Sequence, residues 1–264
     1  MKTLPQILAD ALPVVKEAAS FIQSEIQKSH RGVVEIKSLN SLVTYVDKNA
    51  ELILVGGLKM ILPEAGFLTE ENTIEQTKND WQWIIDPLDG TTNFIYKIPV
   101  FAISVALAYR DEIQLGIVYE LNRDECFTAI KNEGAFLNGQ LISVSSTQHL
   151  KDSLVATGFP YYDYAMLENY ISLFKELMTD TRGIRRLGSA AIDLCYTACG
   201  KFDAFFEYSL SPWDVAAGAL ILQEAGGKIT DFEGGTNWLY GKQILGCNQQ
   251  IFEEIFDKIK RNFK

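Results

Sequence analysis

Trp81-Gln-Trp-Ile-Ile-Asp86-Pro-Leu-Asp89-Gly-Thr-Thr-Asn-Phe94 decides how this chain is read. Its first half is a strand of large apolar residues ending in Asp86. Pro87 fixes its own φ and biases Asp86 toward an extended backbone. Asp89 follows three residues later, then Gly90, Thr91 and Thr92. A buried strand that delivers two carboxylates into a Gly-Thr turn suits a hard cation, because Mg²⁺ takes oxygen ligands in a near-octahedral shell. Asp86 and Asp89 can face one point, with the Leu88 carbonyl between them. Gly90, Thr91 and Thr92 open the next short helical turn, whose first N–H groups can hold a phosphate oxygen. The same spacing also fits an ordinary Asx turn, and spacing alone weighs the two equally.

A second segment, Ser211-Pro-Trp-Asp-Val-Ala-Ala-Gly218, starts a helix with Asp214 in its first turn. A carboxylate there also gains simply from the helix dipole. Glu70 and Glu71 follow the apolar Gly66-Phe-Leu68; such pairs are usually solvated surface. Each feature alone is weak.

The surrounding chain reads as α/β. Residues 4–28 form an amphipathic helix that Pro13 should kink or split. A strand at 33–37 and a helix at about 46–62 follow. Strands are expected at 66–69 and 81–86, then an antiparallel meander at 101–109, 112–120 and 125–131. The second half alternates strands (154–157, 202–207, 227–231, 243–246) with helices (164–178, 188–199, 212–225, 248–261), which suggests an α/β layer. A soft boundary near 145–151 divides an N-terminal α+β half, 1–147, from a C-terminal α/β half, 148–264. The first carries most candidate ligands and the second carries Asp214. The two share one continuous body.

With 264 residues and 47% hydrophobic content, the chain can build a full core. The balance of 24 basic against 34 acidic residues gives a formal charge of −10, which argues against nucleic acid as a direct partner. No uncharged apolar run reaches the ~18–20 residues of a membrane span, and Pro5, Gln6 and Asp10 interrupt any signal-peptide core, so a cytoplasmic protein is expected. Cys195 and Cys199, four apart on a helix, read as small buried hydrophobes rather than half a metal site.

The ensemble resembles a known family. Asp86-Pro-Leu-Asp-Gly-Thr-Thr-Asn-Phe94 is similar to the first signature of the inositol monophosphatase family. Trp213-Asp-Val-Ala-Ala-Gly-Ala219, continuing to Glu224-Ala-Gly-Gly227, is similar to its second. The likeness runs from about residue 37 to 248. It implies an αβαβα sandwich of alternating helix and sheet layers, usually a homodimer. It also implies Mg²⁺-dependent, lithium-sensitive hydrolysis of a phosphomonoester, with two or three ions per site. Carried over residue by residue, Glu70, Asp86 and the Leu88 carbonyl hold one ion. Asp86, Asp89 and Asp214 hold a second, and the resemblance also extends Glu70 to a third. Thr91, with Asp47 behind it, positions the attacking water. Gly90 and Thr91 amides hold the phosphate, while Asp89, Ala190 and Glu207 meet the substrate.

Two positions depart from the pattern. Ser41, in Ser41-Leu-Val-Thr44, stands where relatives carry an acidic residue that supports the loop around Lys37. Thr69 replaces a frequent glycine, a change expected to be harmless.

Physics favours the same chemistry. Two carboxylates ~4 Å apart repel by about 4 kcal/mol at an effective dielectric of ~20. Four that converge without histidine or lysine therefore call for a cation. Among sister activities, Thr92-Asn93-Phe94 after Asp89-Gly-Thr resembles the inositol phosphatase branch. Bisphosphate nucleotide phosphatases tend to carry Lys-Glu there. Histidinol phosphate, fructose bisphosphate and NADP are the other rival substrates, and an added binding role with RNA polymerase is the rival from another class.

Overall fold

The computed structural model describes residues 2–26, 35–38, 41–43, 45–160 and 163–263. Helix α1 (Leu4–Glu25) is capped by Thr3, whose hydroxyl accepts the Gln6 amide while the Gln6 side chain accepts the Thr3 amide. It buries Ile7, Ala11, Val15, Ala18, Ala19 and Ile22. Pro13 was expected to kink or split this helix, but the element runs through it unbroken. Ala9, whose carbonyl loses its partner to the missing Pro13 N–H, is exposed, so water can serve it. Residues 27 and 28 of the expected helix lie outside the described residues.

Strands β1 (Glu35–Ser38) and β2 (Ser41–Val43) pair as an antiparallel ribbon. Residues 33 and 34 of the expected strand, and Thr44, lie outside the described residues. Helix α2 (Tyr45–Ile61) follows. A seven-stranded sheet then runs in spatial order through β3 (Gly66–Thr69), β4 (Trp81–Asp89), β5 (Ala102–Tyr109), β6 (Glu112–Glu120), β7 (Glu125–Ile130), β8 (Gly134–Leu137) and β9 (Gln140–Leu141). Only β3 and β4 are parallel neighbours; the others form an antiparallel meander, two strands longer than the sequence suggested. The short helix α3 (Thr91–Tyr96) links β4 to β5.

The second sheet is built from β10 (Leu154–Thr157), β11 (Gly183–Arg185), β12 (Ala204–Tyr208), β13 (Lys228–Thr230) and β14 (Gln243–Cys247), in the order β11-β10-β12-β14-β13. Helices α4 (Leu167–Asp180), α5 (Ala190–Ala198), α6 (Pro212–Glu224) and α7 (Phe252–Asn262) alternate with these strands. Strand β11 was not anticipated; Gly183-Ile184-Arg185, with arginines on both sides, carries a single apolar residue and too little pattern to read as a strand.

Three apolar clusters stack these elements into five layers. The first joins α1 and α2 to one face of the large sheet. The second fills both sides of α5 and α6, between the two sheets. The third joins the small sheet to α4 and α7. The αβαβα expectation is met. Helix α5 buries all nine of its residues, and α6 buries all of 215–222. Helices that are apolar on every side belong in the centre of such a stack. Among the described residues, no helix is long and apolar enough to cross a membrane.

Candidate active site

The site forms where strand register, a bulge and two helix starts meet. Parallel pairing aligns Thr69 with Ile85, and the Glu70 amide donates to the Ile85 carbonyl at 3.2 Å. Glu70 is thereby set beside Asp86. On β4, Asp86 pairs with Ser104 and Asp89 with Ala102. Three steps on one strand match two on the other, so β4 carries one extra residue. In a regular strand, residues 86 and 89 would point to opposite faces; the bulge brings both carboxylates to one side. Pro87 has no N–H to lose from the ladder there. The Leu88 amide donates to Asp86 Oδ1 at 2.9 Å. The Asx turn weighed against a cation site is therefore present as well, and it orients the carboxylate.

Ser104 lies opposite Asp86 and donates its hydroxyl to the Trp213 carbonyl at 3.1 Å, tying the large sheet to the start of α6. Asp214 Oδ2 accepts the Ser211 amide at 2.6 Å, so one oxygen of Asp214 does serve as a helix cap. The start of α5 is tied in similarly: Asp89 Oδ2 accepts the Ser189 hydroxyl at 2.6 Å and the Ala191 amide at 2.8 Å. Each carboxylate thus has one oxygen committed to protein donors.

Gly90 sits in the left-handed region at φ 97°, and a Cβ there would lie 3.0 Å from the Val100 carbonyl oxygen. Only glycine fits without strain. The amides of Gly90, Thr91 and Thr92 head α3, before its first bond from Phe94 to the Gly90 carbonyl. Thr91 Oγ1 lies 2.8 Å from Asp47 Oδ1 and 3.1 Å from the Leu88 carbonyl oxygen. Asp47, in the first turn of α2, is 1% exposed.

Ala190 and Glu207 are both buried; Glu207 lies on β12. Glu207 shares its surroundings with two groups that the sequence reading did not single out, Arg186 and Asp193. The Arg186 guanidinium also lies 5.3 Å from the centre of the Phe159 ring.

The electrostatics show which groups face one another. Burial pushes Asp86 well above the carboxylate range, and the nearby charges of Glu70, Asp89 and Asp214 push it further. A hydrogen bond with Glu70 adds to the effect. Burial raises Asp89 to about 6, opposed by hydrogen bonds from Ser189, Ala191 and Ala190 and by the charge of Arg186. Asp214 is raised by burial and by Asp89, against the Ser211 hydrogen bond. Burial raises Glu207 to about 8, with Arg186 opposing and Asp89 adding.

Among the described residues, no three His, Cys, Asp or Glu side chains are already closed into a metal-ligating cage. The donor set nevertheless suits Mg²⁺. It consists of carboxylates and a backbone carbonyl, and one oxygen of each of Asp86, Asp89 and Asp214 is oriented by a backbone or hydroxyl donor. Cys195 is buried and Cys199 half-buried, both as free thiols.

The model of the inositol monophosphatase family matches residues 4–262. The chain belongs to the inositol monophosphatase family. It is 39% identical over 255 residues to the Nus factor SuhB of Pseudomonas aeruginosa, covering 95% of this chain and 94% of that one. The crystal structure of the extragenic suppressor protein suhB from Bartonella henselae superposes with a TM-score of 0.92 at 35% identity, covering 97% of this chain and 99% of the other. The inositol monophosphatase of Anabaena (Nostoc) gives a TM-score of 0.85 at 31% identity, covering 98% and 97%. Family membership brings phosphatase chemistry, generally Mg²⁺-dependent, as its common property.

Ser104, Ser189, Arg186 and Asp193 went unremarked as individuals in the sequence. Ser189 lies 100 residues from its partner Asp89. Its one local signal is its place just before an apolar helix, where serine is a favoured cap, and its side chain does accept the Ile192 amide.

Proposed function

We propose that this chain hydrolyses a phosphomonoester, with myo-inositol monophosphate as its preferred substrate class. The observation that carries the reading is the convergence of Glu70, Asp86, Asp89 and Asp214 beside the Gly90-Thr91 turn, set by the β3–β4 pairing, the β4 bulge and the Ser104–Trp213 tie to α6. These carboxylates come from a loop after β3, from the β4 bulge and from the start of α6. Nothing about the separate elements requires them to meet.

Glu70, Asp86, Asp89, Asp214 and the Leu88 carbonyl would hold two or three Mg²⁺ ions. When bound, Mg²⁺ supplies Lewis acidity, lowering the pKa of water and balancing charge on the departing alkoxide. The chain's own groups do the rest. The Thr91 hydroxyl donates to Asp47, which leaves its oxygen lone pairs to accept a hydrogen from water and fix its direction. The Gly90 and Thr91 amides hold the phosphate oxygens. Asp89, a ligand on this reading, also meets the substrate, while Ala190 and Glu207 meet the alcohol itself. A carboxylate at Glu207 accepts hydrogen bonds from vicinal hydroxyls, which an inositol ring presents and an aryl alcohol lacks. A second phosphate near Glu207 would be repelled, which disfavours bisphosphate nucleotides. Lithium inhibition and a homodimer belong to the same reading.

The test is phosphate release from a panel comprising inositol 1-phosphate, fructose 1,6-bisphosphate, a 3′,5′-bisphosphate nucleotide, histidinol phosphate, NADP and an aryl phosphate, with and without Mg²⁺. Release that ignores Mg²⁺, or no release from any member, would overturn the reading. The name Nus factor carried by the SuhB relatives supports a second, additional role in binding RNA polymerase. Direct binding of purified RNA polymerase by an Asp86→Asn variant separates that role from catalysis.

A further inference from the structure

Glu51 does not belong to the ligand group, yet the backbone around Glu70 is built on it. It lies in α2 and is 0% exposed. Four donors from one short segment close on its carboxylate. Oε1 accepts the Thr69 hydroxyl at 2.9 Å, the Thr73 amide at 2.8 Å and the Thr73 hydroxyl at 2.7 Å. Oε2 accepts the Glu71 amide at 2.7 Å.

Thr69 is gripped a second time. Its amide donates to Gln76 Oε1 at 2.8 Å, and Gln76 Nε2 donates to the Thr69 hydroxyl at 3.0 Å and carbonyl at 3.3 Å. Glu70 stands between these held neighbours. Its amide is fixed on Ile85, and its carbonyl accepts Asn72 Nδ2 at 3.0 Å. Asn72 completes the turn at φ 53°. Both peptide groups flanking Glu70 are therefore pinned, and with them the direction in which its side chain leaves the backbone.

We propose that Glu51 is a positioning residue for metal loading: a buried carboxylate that fixes the 69–73 turn and so holds Glu70 against Asp86. The proposal rests on the reading of Glu70 as a metal ligand. The carboxylate form matters, because all four partners are donors and a carboxylate is acceptor-only. An amide in its place would turn an NH₂ group toward an N–H or O–H. The turn would have to give up at least one bond, and Glu70 would lose its fixed approach to Asp86. Thr69, expected to be harmless, contributes a hydroxyl that glycine could not.

The test is calorimetric titration of Mg²⁺ into the wild type, Glu51→Gln and Thr73→Val, with amide hydrogen exchange followed at residues 71 and 73. Loss of an outer partner of a metal ligand typically weakens affinity about 10–100-fold. Glu51→Gln should therefore raise the Mg²⁺ dissociation constant by roughly 10-fold or more, with faster exchange at both amides. Thr73→Val, which removes one hydroxyl and keeps the shape, should raise it by a smaller factor, and it carries the test if Glu51→Gln does not fold. A lowered melting temperature with wild-type Mg²⁺ affinity in the folded variants would show a purely structural role and overturn the proposal. If the wild type binds no Mg²⁺ at all, the metal reading itself falls, and the proposal falls with it.

Discussion

Gly158 and Glu207 are packed so closely that a Cβ on Gly158 would lie 2.0 Å from the Glu207 carboxyl carbon. The parallel pairing of β10 with β12 puts Thr157 opposite Phe206, which brings the residue after β10 against the residue after Phe206. Thr157 locks the junction by donating its hydroxyl to the Phe206 carbonyl at 2.8 Å. A Gly158→Ala variant must displace the Glu207 carboxylate. Assayed at pH 9, above the raised value of about 8 so that Glu207 is charged, the kcat/KM for inositol 1-phosphate should fall by roughly 10-fold, since a charged acceptor contributes about 1.5–3 kcal/mol when well placed. The kcat/KM for an aryl phosphate should change far less. Equal losses on both substrates would remove Glu207 from the alcohol pocket.

Glu207→Gln should show the same selectivity in kinetics and an opposite effect on stability. Burial raises Glu207 to about 8 in the folded chain, against an ordinary 4.5. A raised carboxyl favours the folded state at low pH, and that contribution is lost as pH rises from about 4.5 through 8. The metal-free wild type should therefore lose melting temperature between pH 5 and 8. Glu207→Gln removes one buried titrating group and should make that slope shallower, the raised Asp86, Asp89 and Asp214 keeping the rest. At pH 8 the variant should therefore melt above the wild type. Parallel melting curves for the two proteins across this pH range would contradict the assignment.

Mg²⁺ should stabilise the wild type and not Asp86→Asn. At ~100 times Kd one site adds about 2.7 kcal/mol, several degrees of melting temperature. Asp86 is the residue to change because Glu70, Asp89 and Asp214 all act on it. A full Mg²⁺-dependent shift in the variant would show that the ions bind elsewhere.

Thr91→Val keeps the shape of the side chain and removes the hydroxyl that reaches Asp47. Its expected effect is a kcat about 100-fold lower, the scale of a lost proton-handling group, with KM and the Mg²⁺-dependent melting shift close to wild type. A raised KM with kcat intact would move Thr91 from handling water to binding substrate.

Much of the fold could be read before the structure because its strands are rich in apolar residues and bounded by polar turns. Gly66–Thr69, Glu112–Glu120 and Leu154–Thr157 begin and end where the pattern places them. Strands β8 and β9 escaped because Gly134–Leu137 and Gln140–Leu141 are short, the second lying at the sheet edge, and are separated only by Asn138 and Gly139. At the site, the motif residues were visible through the resemblance of their two segments to the family's signatures, whereas the groups that hold them were not. Ser189 reaches Asp89 across 100 residues, and Glu51 reaches residues 69–73 from another helix. Asp193 looks like any polar residue on a helix until burial leaves its Oδ1 without a hydrogen-bond partner. Tertiary placement alone gives such residues their meaning.

Helices α5 and α6 are walled in by the two sheets, and their first turns hold Asp89 and carry Asp214. This sets where the molecule can tolerate novelty. A substitution inside that central layer disturbs two cores at once, so random mutagenesis there should mainly cost soluble protein. Variants with a new taste in alcohols should instead map to Gly158, Phe159, Arg186 and Glu207. Those residues meet at the β10–β12 junction of the small sheet, and on the proposed reading a side chain can change there without disturbing the Gly90-Thr91 turn.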